Sequence, residues 1–88
     1  MSFTVGNRQF ELQSFSDVGT RDGAGWELWE CKGEEKLLLI EIFRHDDLKK
    51  IDFATFEAVD IPLEAVDELL KTFSEEGSRN FVDDSLWS

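Results

Sequence analysis

Up to about Val59 the apolar positions recur mostly in twos, and from Asp60 onward they recur every three or four residues. That change of period predicts strands first and a helix afterwards. FTV and RQFELQSF flank Gly6-Asn7, a pair that suits a two-residue hairpin turn and sets Phe3 opposite Phe10; a single strand kinked at Gly6 is the competing reading. WELWECK alternates weakly, with Trp26 and Leu28 on one side and Trp29 and Cys31 on the other. The turn Gly33-Glu34-Glu35 leads into KLLLIEIF, which stops at Arg44-His45-Asp46-Asp47. In KKIDFATFEAV, Ile51, Phe53 and Val59 keep one phase and Phe56 breaks it, so a bulge or an early end to the strand is expected there.

Leu63, Val66, Leu70 and Phe73 share one helical stripe, with Pro62 in the first turn, Asp60 or Ile61 as the cap and Gly77 as the stop. The expected fold is α+β: an antiparallel sheet of about four to five strands, then one C-terminal helix packed on one face. Residues 1–77 form a single domain and 78–88 an acidic-aromatic tail. KLLLIEIF complicates the picture, because Leu38, Ile40 and Ile42 are apolar and so are Leu37, Leu39 and Phe43 on the opposite phase. An antiparallel strand with one wet face should alternate cleanly. The second face therefore calls for the tail with Phe81, Leu86 and Trp87, for strong curvature, for a second subunit in a homodimer, or for a partner.

A chain of 88 residues, 41% hydrophobic, holds one core. At this size only roughly 60 to 65% of the unfolded surface is buried, so each large apolar side chain counts. The start MSFTVGNRQF has no basic leader or long apolar run, the apolar run Leu37 to Ile40 is far too short to span a bilayer, and Cys31 is the single cysteine. These features lead to the expectation of a cytoplasmic protein without a membrane segment. Net charge is −11, and it is uneven: residues 1–50 carry ten acids and seven bases, residues 51–88 ten acids and two bases. Such a balance disfavours nucleic acid and anionic membranes and favours a basic protein partner.

Candidate chemistry is sparse. Gly19, Gly23 and Gly25 lead into a strand, whereas a phosphate cradle leads into a helix, and Asp17 and Asp22 would repel an anion, so the loop reads as a turn. His45 beside Asp46 and Asp47 sits in a polar turn, and Cys31 has no activating base nearby in sequence. No cofactor, metal or catalytic residue is expected, and the protein reads as non-enzymatic.

Trp26 and Trp29 are three residues apart and must point to opposite faces of a strand, so at least one lies off the helix-covered side. Glu75 and Glu76 stand at the helix C-terminus, where the dipole disfavours negative charge. With Glu64, Asp67 and Glu68 they would present an acidic surface to a basic partner. The candidate partner-binding residues are Trp26, Trp29, Glu64, Asp67, Glu68, Glu75, Glu76 and Trp87, in a small interaction module of inhibitor or immunity type. The alternative is single-stranded nucleic-acid binding through Lys32, Lys36, Arg44, Lys49 and Lys50 with the aromatic residues Trp26, Trp29 and Phe43. In order of elements alone, residues 26–76 resemble the Whirly and positive-cofactor families, and that resemblance implies a sheet that stacks on bases.

Overall fold

Gly6 and Gly33 both hold a φ of 62°, a conformation that side chains resist, and each opens a two-residue turn between paired strands. The computed structural model describes residues 1–17, 19, 21–77 and 79–81. Five strands follow one another as β1 (Ser2–Val5), β2 (Arg8–Asp17), β3 (Gly23–Lys32), β4 (Glu35–His45) and β5 (Lys50–Thr55). Each pairs antiparallel with its sequence neighbours, so the sheet order is the chain order. The helix α1 (Leu63–Glu76) lies across β3 at the centre of the sheet. This is the expected α+β arrangement, with β1 and β5 as its two edges.

The first hairpin has the expected register, Phe3 opposite Phe10, and the two rings stack at 5.6 Å. β5 stops at Thr55, which is the early end that Phe56 signalled. Trp26 packs edge-on against Phe73 of the helix at 5.0 Å, whereas Trp29 lies on the far face. The core beneath the helix comprises Phe10, Leu12, Trp26, Leu28, Leu39, Ile40 and Ile42, sealed by Ala65, Leu69 and Phe73.

β4 answers the question of the two apolar faces. Leu28 pairs with Ile40 and Trp29 with Leu38, which leaves Leu39 as the extra residue of a bulge. The side-chain phase reverses there. Leu37, Leu39, Ile40 and Ile42 therefore all serve the helix side, and the unbroken apolar run reflects a change of phase within one strand. On the far face Phe43 is still buried, 2% exposed, but neither a subunit nor the tail is needed to cover it. Arg21 covers it: the guanidinium stacks 3.9 Å from the Phe43 ring centre and pairs with Glu41 at 2.9 Å, while Phe15 approaches from the side. Burying an aromatic under a paired cation satisfies both groups.

Two expectations about the helix are corrected. The buried stripe is Ala65, Leu69 and Phe73, while Leu63 is 71% exposed and Leu70 39%. Both stripes have helical spacing, and the position of β3 decides between them. The cap is Pro62 itself, with no side-chain hydrogen bond; its carbonyl accepts from the Ala65 and Val66 amides. Gly77 does end the helix, and a Cβ there would strike the Trp26 ring.

Arg8 ties the sheet to the segment that enters the helix. Its Nε and Nη2 donate to the two Glu30 oxygens at 2.8 Å each, and Nη1 donates to the Asp60 carbonyl at 2.7 Å. That fork holds the Glu30 carboxyl below its ordinary range, against the opposing effect of its burial. A carboxyl whose pKa is depressed by folding stabilises the fold above its unfolded value, 4.5, and that contribution fades as pH falls through the folded pKa. Arg8→Ala leaves Glu30 buried without its partner and is expected to cost about 2 kcal/mol at neutral pH, less than a fully buried pair because Arg8 is partly exposed. Urea titrations of wild type and variant at pH 7 and pH 3 check this: the difference between them should shrink at the lower pH.

Candidate functional site

The flank of the molecule where α1 runs beside β1 combines an open strand edge with a row of acids. Met1 and Leu12 exchange both backbone hydrogen bonds, at 2.7 and 3.1 Å. In an antiparallel ladder such pairs alternate, so Phe3 and Val5 also bond inward while the amides and carbonyls of Ser2 and Thr4 point away from β2. Among the described residues β1 is a free edge with four main-chain groups on offer.

Helical geometry sets the acids above that edge. At 100° per residue, Glu64, Glu68 and Glu75 fall within about 40° of one another, and Glu76 lies further round toward the sheet. Asp67 lies about 60° to the other side of Glu64, near the outward crest of the helix opposite the buried Ala65, Leu69 and Phe73. Glu64 and Glu68 form one wall of a depression of about 370 Å³ whose other wall is Phe3, Thr4, Val5 and Gly6. Glu75, Glu76 and Thr72 line a second depression, about 290 Å³, against Met1, Gln13 and Ser14. The helix thus runs antiparallel to β1, with acids along the length of the groove between them.

Elsewhere four acids carried by the sheet and its turns have close cationic partners. Glu11 accepts from Lys36 at 2.7 Å, Glu30 from Arg8, Glu41 from Arg21 and Asp46 from Arg44 at 2.9 Å. The Lys36 and Gln13 hydrogen bonds hold the Glu11 carboxyl below its ordinary range. Glu64, Glu68, Glu75 and Glu76 have no ion-pair partner among the described residues, and no basic residue stands in the last turn of the helix. Glu76 only meets the Ser14 hydroxyl, at 3.5 Å.

The remaining candidates are scattered. Trp26 is 3% exposed and belongs to the core, closed off by Gly77 and Phe73, so it offers no surface to a partner. Trp29 is half-buried on the far face, its indole donating to Glu27 at 3.2 Å. Trp87 lies outside the described residues. Of the basic set, Lys32 and Lys36 stand at the β3–β4 turn and Lys49 and Lys50 at the β4–β5 turn, at opposite ends of an eleven-residue strand. Arg44 is buried and spent on Asp46 and on the Gly77 carbonyl, to which it donates. The structure does not gather these five residues into one cationic surface.

His45 is held by Asp52 at 2.9 Å, while its neighbour Asp46 turns to Arg44. Cys31 is half-buried, its thiol 3.9 Å from a Glu11 oxygen. Among the described residues no group of three His, Cys, Asp or Glu side chains is placed to hold a metal ion, and no helix is long and apolar enough to cross a membrane.

The free β1 edge carried no signal of its own in the sequence, because an edge is a property of sheet order. No family model, curated protein or solved structure matches the chain.

Proposed function

We propose that the protein is a non-enzymatic interaction module that takes a basic, extended segment of a partner protein along the edge of β1. What supports this reading is one juxtaposition: four carboxylates without cationic partners stand over the free edge of a strand. An added strand would pair with the outward amides and carbonyls of Ser2 and Thr4. Its side chains on the helix side recur about every 6.8 Å, and Glu64 and Glu68, four residues apart, are separated by about 6 Å along the helix, so alternate lysines or arginines meet that pair. Glu75 and Glu76 lie about 10 to 12 Å beyond Glu68, nearer the second alternate position than the first. Glu75 and Glu76 oppose the helix dipole in the free protein, and a cation brought beside them relieves that cost. An inhibitor or immunity-type role toward a basic partner fits this chemistry.

The test is a calorimetric titration with a peptide that alternates lysine and valine, repeated across salt concentrations. Glu68→Gln combined with Glu75→Gln should weaken binding about tenfold, the worth of two exposed charge pairs, and flatten its salt dependence. Thr4→Pro removes an amide that points to solvent, a place where an edge strand tolerates proline, and should abolish binding while leaving the fold intact. Equal affinity in the wild type and both variants overturns the reading.

A further inference from the structure

The opposite flank of the molecule has a different chemistry. β5 is the second edge of the sheet, and just past it the Phe56 amide donates inward to the Leu39 carbonyl at 3.1 Å. Inward bonds alternate along an antiparallel ladder, so Lys50, Asp52 and Ala54 also bond inward, while the amides and carbonyls of Ile51, Phe53 and Thr55 point away from β4. The same three residues carry their side chains on the helix side, since Phe53 lies opposite Ile42 and both line one groove with Ile51, Leu70, Phe73 and Arg79. Phe53 is 55% exposed and Leu70 39%, so this groove of about 160 Å³ sets apolar surface beside open main-chain groups.

The charges of the helix turn away from this flank. Val66, Leu70, Leu63 and Ser74 fall about 60° to 140° to the β5 side of the buried stripe, and none of them is ionisable. Glu64, Glu68 and Glu75 fall as far to the β1 side. A second chain of net charge −11 is therefore repelled by the glutamates of the helix at the β1 edge and meets none of them at the β5 edge. Antiparallel pairing of β5 with its own copy also brings unlike ends together. Lys49 stands just before each strand, with Arg79 on the groove wall, and Glu57 comes two residues past the other end. Lys50 takes no part in this, because on the far face it stays with its own Asp52 at 3.5 Å.

We propose that the protein forms a two-fold dimer through β5, joining two five-stranded sheets into one of ten strands. The pairing is centred on Phe53, which exchanges both backbone bonds with its counterpart. Ile51 then faces Thr55 of the second copy, and on the far face Asp52 faces Ala54, so no like charges lie directly opposite. Because the outward-bonding residues are also the helix-side ones, both helices come to lie on the same face, and the two apolar grooves merge across the seam. One six-residue strand buries less than the roughly 800 Å² per partner of a standard interface, so the dimer is dissociable. It leaves the two β1 edges at its outer ends, nine strand spacings or about 43 Å apart. Whatever the β1 edge binds, the dimer offers that site twice.

The experiment is sedimentation equilibrium of the full chain from about 10 μM to about 1 mM, over which the mass should rise from 10.1 kDa toward twice that value. Phe53→Lys replaces an aromatic pair on the two-fold axis by two like charges and should weaken self-association about tenfold or more. Thr55→Pro removes an outward amide from an exposed edge position and should do the same. Both variants should keep the circular dichroism spectrum of the wild type. Thr4→Pro, on the other edge, should leave self-association unchanged. The proposal is overturned if the wild type stays at 10.1 kDa throughout, the result expected when another part of the chain or another protein covers the groove. It is also overturned if a dimer survives both Phe53→Lys and Thr55→Pro, or if Thr4→Pro breaks it, because the interface then lies elsewhere.

Discussion

Leu69→Ala is expected to cost about 3 kcal/mol, and Leu63→Ala less than about 0.5 kcal/mol, although both remove the same atoms from one helix. Leu69 is fully buried against β3 between Ala65 and Phe73, so truncation leaves a cavity that a sheet held by four hairpin pairings cannot collapse to fill. Leu63 is the first helical residue and 71% exposed, and alanine suits a helix at least as well. In a domain of this size 1 kcal/mol moves the melting temperature by roughly 4 to 8 °C, so the two variants should separate by more than 10 °C in a thermal scan. A lower melting temperature for Leu63→Ala than for Leu69→Ala would mean that the helix presents its other stripe to the sheet.

Gly23→Ala is expected to destabilise by about 3 kcal/mol, at the upper end of the overpacking range. Gly23 pairs with both Asp17 and His45, and a Cβ on it would run into the Arg44 carbonyl oxygen. A backbone atom in the centre of a sheet has nowhere to move, since Arg44 is fixed by Asp46 and by its bond to the Gly77 carbonyl. Gly25→Ala, two pairs further along, meets the flexible ring of Phe15 and should cost less. Denaturant midpoints of the two variants give the comparison, and a smaller effect at Gly23 than at Gly25 would contradict it.

These glycines show how far the sequence could be read. Gly6 and Gly33 act through local turn geometry, and the expected Phe3–Phe10 pairing followed from one of them. Gly23 and Gly25 read as part of a polar loop because their neighbours are Asp22 and Ala24, yet their task is to let Phe15, Phe43 and Arg44 close up across three strands. Contacts of that kind leave no local trace. The bulge at Leu39 was hidden for a similar reason, since a phase reversal inside an apolar run looks like two apolar faces. In the helix, period alone left two overlapping stripes, and Ala65 adds too little hydrophobicity to tip the balance toward its own. Of the acidic set, Glu64, Glu68 and Glu75 could be gathered onto one flank by angle, but which strand lay beneath them depended on the sheet order.

That order bears on how the molecule reaches its fold. Every strand partner is the next strand in sequence, so the sheet can zip up one hairpin after another, and no step before the helix has to close a long loop. Proteins rich in such near-neighbour pairing fold faster than sandwiches and barrels of similar stability. The contacts that span 52 and 62 residues, Arg8 to Asp60 and Ser14 to Glu76, both join the sheet to the ends of the helix. The meander is therefore free to assemble first, and docking of the helix becomes the late event that converts a twisted ribbon with one wet apolar face into a closed core.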